Sequence, residues 1–327
     1  MAELLENFWY GVEHASALGQ APVSIQLLDQ RYVLYRDSQG QVHAALDRCP
    51  HRGASFSRGW VEGDCLRCPY HGWTFATDGH CVQIPADQQG VQIPAQARLR
   101  LLPVEEKAGF VWIFPGDPDR ADPALIPDFP ELGTEGWRPV SGEYLWNANF
   151  SRVVESGLDA SHAPFVHKPF FVNRDDASVL PFEVDEEPGS VSCLVKTKPP
   201  KRLGLLKYIV KRDREFSSSR LTAYFPNVNR IAIDFNWKGY QYIYFASNIP
   251  VSQSLTLTKW IGVRNFLPYR WADRNSIKNT VDTYLEDRAV VETQEQTLSW
   301  EKGQKDLLLS SDQLILAYRK ALQRSLA

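Results

Sequence analysis

Along the first third of the chain, apolar and polar residues alternate in short runs and do not recur at helical spacing. Val23-Ser24-Ile25-Gln26-Leu27, Tyr32-Val33-Leu34-Tyr35-Arg36 and Val42-His43-Ala44-Ala45-Leu46 carry the alternation of half-buried strands. Asp37-Ser38-Gln39-Gly40-Gln41, between the last two, is a hairpin turn signal. The pattern resumes at Trp73-Thr74-Phe75, turns at Asp78-Gly79, and continues near 99–102 and 109–114. Residues 1–115 therefore read as a small all-β domain. The pattern then stops: between 115 and 130 stand five prolines (115, 118, 123, 127 and 130) and four aspartates, an extended stretch without regular structure. This places a proline-rich linker at 116–135 and a second domain at 136–327. In that domain, strand-like runs at 190–198, 216–224, 229–237, 240–248 and 255–263 are separated by turns such as Pro226-Asn227 and Lys238-Gly239, predicting an antiparallel meander. Helices are predicted over 151–158, 273–300 and 311–325. In the last, Ser311 and Asp312 stand at the N-cap, and Leu314, Leu316, Ala317 and Leu322 follow near helical spacing. The second half is thus α+β, with helices packed on an antiparallel sheet.

Composition narrows the class without changing the picture. A chain of 327 residues, 43% hydrophobic and with ten tryptophans, has ample material for two cores. A net charge of −3 gives no reason to expect nucleic acid or a membrane surface as partner. The five cysteines, Cys49, Cys65, Cys68, Cys81 and Cys193, are too few and of the wrong parity for a secreted disulfide framework. The acidic N-terminus lacks a signal-peptide pattern, and apolar runs such as Phe110-Val111-Trp112-Ile113-Phe114 are too short to span a bilayer. The expected compartment is the cytoplasm.

Two constellations carry chemistry. Cys49-Pro50-His51-Arg52-Gly53 and Cys68-Pro69-Tyr70-His71-Gly72-Trp73 offer a Cys-x-His, then sixteen residues, then a Cys-x-x-His. Two thiolates and two imidazoles in this order suit a [2Fe–2S] cluster in which one iron takes both cysteines and the other both histidines. Gly53 and Gly72 allow each loop to close, and Pro50 and Pro69 stiffen the approach. Zinc is the alternative, because Cys65-x-x-Cys68 falls here, but no upstream Cys pair matches it. Cys65 then reads as a small buried bystander, and His14, His43 and His80 as surface or hydrogen-bonded residues. The second constellation is Asp159-x-x-His162-x4-His167. On an ideal helix, residues five apart diverge by about 140°. Pro164 between them argues for a broken turn that could bring both rings to one metal. Two histidines, one carboxylate and open positions form the facial triad of mononuclear non-haem Fe(II) oxygenases. Alone, this spacing is only moderately specific.

The first constellation resembles a Rieske motif, which makes Cys49 and Cys68 the thiolate ligands and His51 and His71 the imidazole ligands. Rieske proteins of respiratory complexes carry two further cysteines that form a disulfide; here Ala54 and Tyr70 stand there, and a lower potential follows. The two constellations together resemble the Rieske non-haem iron oxygenases, the family of vanillate demethylases and phthalate oxygenases. The resemblance implies a helix-grip-like second domain in which His162 and His167 bind iron. It implies that Asp159 is no ligand but bridges toward His71 of a neighbouring subunit on the electron path. The third ligand is sought in the run from Tyr284 to Gln296, where the family pattern matches Asp287, with Glu292 and Glu286 as alternatives. The family arrangement is a head-to-tail ring, usually a homotrimer.

The implied activity is that of a terminal oxygenase using O2. The chain shows no Gly-x-Gly-x-x-Gly, no visible flavin motif and no second ferredoxin-type Cys set, so electrons are expected from a separate NAD(P)H-dependent reductase, a ferredoxin, or both. Length favours monooxygenation or oxidative demethylation over cis-dihydroxylation, and a pure electron-transfer Rieske protein is the rival from another class. Residues 168–181 and the aromatic strands over 237–245 are expected to line or flank a pocket for a hydrophobic or aromatic substrate. The basic run Lys196, Lys198, Lys201, Arg202, Lys207, Lys211, Arg212 and Arg214 reads first as a solvated hairpin, with an anionic substrate or acidic redox partner as the functional alternative.

Overall fold

The alternating runs of the first third become strands, though the middle run buries both sides, with Tyr32, Val33, Leu34 and Tyr35 all enclosed. A computed structural model describes residues 5–87, 92–167, 175–197, 217–235, 238–297 and 306–326. They fall into two compact units, 1–128 and 129–327. In the first unit the strands are β1 (Tyr10–His14), β2 (Val23–Leu27), β3 (Gln30–Arg36), β4 (Val42–Leu46), β5 (Trp60–Glu62), β6 (Cys65–Arg67), β7 (Thr74–Phe75), β8 (Cys81–Gln83), β9 (Leu101–Leu102), β10 (Val104–Lys107) and β11 (Phe110–Ile113). They pair as three small antiparallel sheets, ordered β1-β11-β10, β2-β3-β4-β9 and β5-β6-β7-β8. The predicted hairpin joins β3 to β4: the Asp37 carboxylate accepts the amides of Gln39 and Gln41 at 3.0 and 2.9 Å. Val33, Tyr35, Phe56, Leu66 and Phe75 pack into a fully buried core with Cys49 and Cys68. That core anchors both cysteine-bearing loops.

The proline-rich stretch is more ordered than its composition predicts. Two 3-10 turns, Pro118–Arg120 and Pro123–Leu125, form inside it, each capped by the aspartate before it. Proline at the first helical position loses no hydrogen bond, and the Asp side chain accepts the amide two residues on. Lys107 Nζ donates to the Ile126 carbonyl at 2.7 Å and Trp9 Nε1 to that of Asp122 at 2.9 Å, so this segment is part of the first unit as far as Asp128.

In the second unit, β12 (Arg138–Trp146), β13 (Val184–Glu187), β14 (Ser190–Thr197), β15 (Ser217–Tyr224), β16 (Val228–Asp234), β17 (Gln241–Ser252) and β18 (Leu255–Arg264) form one antiparallel sheet, ordered β12-β18-β17-β16-β15-β14-β13. The meander is as expected, but both edge strands are additional. β12 contains Pro139 and Gly142, which obscure a strand pattern. An edge tolerates proline's missing donor, and a Cβ on Gly142 would lie 2.8 Å from the Trp260 ring. β13 is acidic, as exposed edges often are. The helices are α1 (Phe150–Ser156), α2 (Ala163–Val166), α3 (Asp273–Val291) and α4 (Gln313–Leu326). α4 buries Leu314, Ala317 and Leu322 of the expected stripe together with Ile315, Tyr318 and Ala321, while Leu316 is only partly covered. α3 ends at Val291, well short of 300, because the residues after it are drawn to another element. Glu292 Oε1 accepts the amide of Asn147 and Gln296 Oε1 that of Asn149, both at 2.7 Å. At its other end α3 is pinned by Asp273, which holds Arg138 at 2.7 Å and Arg264 at 2.6 Å.

Candidate metal centres

The first candidate centre stands on two loops with the same backbone design. The Cys49 amide donates to the Ala54 carbonyl at 2.8 Å and the Cys68 amide to that of Trp73 at 2.9 Å. Each loop then closes with a glycine amide on the cysteine carbonyl: Gly53 on Cys49 at 2.8 Å, Gly72 on Cys68 at 3.1 Å. Both glycines have positive φ, +75° and +69°, which a side chain would strain. The loops bring the His51 and His71 rings to 4.6 Å between centroids. Trp73 stacks on His51 at 4.6 Å with the planes 6° apart, and Tyr70 lies over His71 at 3.8 Å.

Burial pushes the Cys49 thiol up to about 12, and the neighbouring Cys68 adds to the rise. Such a thiol ionises when a metal takes the proton's place. Burial, with His51 and Arg52, holds His71 below the ordinary value, so the ring is neutral and able to ligate. Two buried cysteines and two close imidazoles flanked by aromatic rings fit a [2Fe–2S] cluster held by a pair of histidines and a pair of cysteines. Cys65 lies on β6 and is half-buried, less enclosed than expected. His43 pairs with Asp37 at 2.8 Å and His80 with Asp78 at 3.0 Å, while His14 packs on Phe110 at 5.3 Å.

The second centre is assembled from two distant stretches. Four residues of helix, α2, separate His162 from His167, and the chain leaves helical geometry at His167 (φ −87°, ψ 154°). The divergence of an ideal helix therefore does not apply, and the two Nε2 atoms meet at 3.3 Å. α3 brings the Asp287 carboxylate to them from the far side: Oδ1 lies 3.4 Å from His162 Nε2 and 3.5 Å from His167 Nε2. Donors bound to one ion at about 2.1 Å, with mutual angles near 105°, would form a triangle with edges of about this length. Asp287 Oδ1 is buried and accepts no well-directed hydrogen bond among the described residues. The donor set and its orphaned oxygen fit a mononuclear ion with open positions.

Each outer ring nitrogen faces a carboxylate. His162 Nδ1 lies 3.5 Å from Asp159 Oδ2, and His167 Nδ1 lies 3.2 Å from Glu286 Oε2. Burial works against ionisation of Asp159, but hydrogen bonds from His162 and Ser161 overcome it and keep the carboxyl below its usual range. Burial also pulls His162 down, yet the Asp159 and Asp287 carboxylates beside its two ring nitrogens outweigh this and lift it to about 10. Two facing carboxylates demand positive charge here, and a bound cation meets the same demand.

Of the carboxylates singled out in the α3 sequence, Asp287 alone reaches both Nε2 atoms. Glu286 supports the outer nitrogen of His167, and Glu292 is engaged by the Asn147 amide and by Arg288 at 2.8 Å. Asp159, His162 and Asp287 open onto a cavity of about 380 Å³ that also meets Arg152, Glu155 and Arg319. These last three carry no local sequence signal beyond an i,i+3 Arg–Glu pair on α1. Residues 168–174, 198–216 and 236–237, which include half of the predicted pocket segment and most of the basic run, lie outside the described residues. Within the predicted aromatic strand, Phe245 is core, stacked on Phe129 at 5.0 Å, and Tyr244 packs against Tyr284 and Trp260. Both rings contribute to the packing of the second unit.

Comparison with known proteins gives both halves a context. A model of the Rieske [2Fe-2S] domain matches residues 8–103, and a model of the vanillate O-demethylase oxygenase C-terminal domain matches residues 146–327. The oxygenase component of dicamba O-demethylase from Stenotrophomonas maltophilia is 36% identical over 192 residues, 59% of this chain and 56% of that protein. A putative iron–sulfur subunit of a toluene-4-sulfonate monooxygenase system from Comamonas testosteroni is 35% identical over 195 residues, 60% of this chain and 55% of that protein. The chain thus spans about half the length of the curated relatives it matches. The crystal structure of dicamba monooxygenase bound to dicamba superposes with a TM-score of 0.83 at 26% identity, covering 98% of this chain and 97% of that one.

Proposed function

Because the chain belongs to the Rieske-domain proteins with a vanillate O-demethylase oxygenase C-terminal domain, we propose that it is a terminal oxygenase that hydroxylates or oxidatively demethylates an aromatic or other hydrophobic substrate. The observation that carries this reading is the triangle of His162, His167 and Asp287 donors, with edges of 3.3 to 3.5 Å. When bound, the cluster supplies single electrons and the ferrous ion supplies O2 activation.

The side chains have distinct tasks. Cys49 and Cys68 hold one iron of the cluster, and His51 and His71 the other. His162, His167 and Asp287 hold the ferrous ion on one side and leave the other for O2 and substrate. Asp159 faces His162 Nδ1, and in an assembled homotrimer it would bridge to His71 of a neighbouring subunit on the path from the cluster to the ferrous ion. Electrons reach the cluster from a separate reductase or ferredoxin, since no nucleotide- or flavin-binding fingerprint is present in the sequence. The relatives named for aromatic acids favour a substrate of that class and a reaction that places one oxygen atom in it. No helix among the described residues is long and apolar enough to cross a membrane; cytoplasmic work, where thiols stay reduced, suits the five unpaired cysteines.

The test is turnover with a generic NADH-dependent reductase under 18O2, using a panel of methoxy- and methyl-substituted aromatic acids. One labelled atom in the product, or in the aldehyde lost on demethylation, is the expected outcome. Two labelled atoms in one product would make the enzyme a dihydroxylating oxygenase. No labelled product, from a chain that holds only its cluster iron, would leave an electron carrier.

A further inference from the structure

Two arms of the chain meet at the donor triangle. The first is α1, whose Glu155 carbonyl accepts the amides of both Leu158 and Asp159 at 3.0 Å, so that the chain leading to His162 inherits the helix's position. The second is α3, which carries Asp287 and continues into a segment that returns to the start of α1 through Gln296. Between the arms lies a set of alternating charges. Arg319 of α4 forks onto Glu155, with Nε and Nη2 each 2.7 Å from a carboxylate oxygen, and reaches Asp306 at 2.7 Å. Arg152 of α1 reaches Asp306 at 2.6 Å and donates through Nε to the Glu295 carbonyl at 3.0 Å. Arg152 and Glu155 are only 5% and 6% exposed.

Removing that much charge from water largely offsets its mutual attraction, so net stability is a poor explanation for the set. Its geometric consequence is specific: it fixes the separation of the α1 arm from the segment after α3. We propose that Glu155, Arg152 and Arg319 are positioning residues for the His162–His167–Asp287 site. The C-terminal helix α4 then belongs to the metal centre without touching it. The inference rests on the oxygenase reading, because it supposes that an ion uses the triangle. A displacement of about 0.5 Å in either arm is enough to spoil a ligand set of this kind.

The test uses the full chain with its cluster intact, the mononuclear site emptied by chelation and then titrated anaerobically with Fe(II). Glu155→Gln keeps shape and an acceptor while removing the charge, and Arg319→Lys keeps the charge while removing the fork. Both variants are expected to retain the visible absorption of the cluster. They should bind Fe(II) at least about tenfold more weakly, and the nitric oxide adduct of the bound Fe(II) should give an altered electron paramagnetic resonance spectrum. A purely structural role would lower the melting temperature and leave that spectrum unchanged in the folded molecules. Should Arg319→Lys fail to fold, the milder Glu155→Gln decides. Wild-type affinity and spectrum overturn the positioning role and leave the oxygenase reading standing. A wild-type chain that takes up no third iron overturns the reading itself.

Discussion

Asp287 and Glu286 are neighbours on one helix yet meet His167 at opposite ring nitrogens, 3.5 Å from Nε2 and 3.2 Å from Nδ1. Successive helical residues point about 100° apart, so one carboxylate can face the ion while the other steadies the imidazole behind it. Different losses follow. Asp287→Ala removes a donor and should abolish mononuclear iron while leaving the cluster chromophore; iron retained at that site would refute the assignment. Glu286→Ala should weaken Fe(II) binding by about 10- to 100-fold, because the Nδ1–H loses its acceptor and the ring its fixed tautomer. Glu286→Gln, which keeps an acceptor, should recover much of that loss in the same titration. Equal loss in Ala and Gln would show that the negative charge, not the hydrogen bond, is what matters.

Among the elements, α3 has the most exacting task and little intrinsic hold, since of its nineteen residues only Val291 is fully buried. Charge at its N-terminus compensates. Hydrogen bonds from Arg138, then Arg264, hold the Asp273 carboxyl down at about 2, against an ordinary value of 3.8. A carboxyl depressed in the folded state adds stability above its unfolded value, and that contribution is lost as pH falls through the folded one. Between pH about 4 and about 2 the wild-type melting temperature should therefore fall more steeply than that of Asp273→Asn. Parallel curves over this window would remove Asp273 from the anchoring of α3.

Local signals also explain what the sequence reveals of these elements. The meander strands are legible because turn signals such as Pro226-Asn227 and Lys238-Gly239 separate them, and both cluster loops because ligands and turn glycines sit within six residues of one another. β12 is hidden by Pro139 and Gly142, tolerable only at a sheet edge beside Trp260. The true end of α3 is hidden because Glu292 and Gln296 are engaged by amides of a strand end far back in the chain. Asp287 is singled out by family resemblance and not by spacing. The Arg152–Glu155–Asp306–Arg319 set depends on folding, and only the i,i+3 spacing of Arg152 and Glu155 is local.

At the scale of the molecule, the first unit carries the four proposed ligands of a two-iron cluster and the second the three proposed donors for one further ion. The proposed oxygenase needs both, with the cluster as electron store and the second site as the place of reaction. The proposed ring of three predicts that sedimentation will report a trimer that loses turnover when diluted to monomer. The most direct test of the whole reading is simpler: iron per chain in protein purified anaerobically and supplied with Fe(II) and sulfide. Three iron atoms per chain are expected, two with the cluster and one at His162, His167 and Asp287. Two iron atoms per chain, with a fully formed cluster, would contradict it.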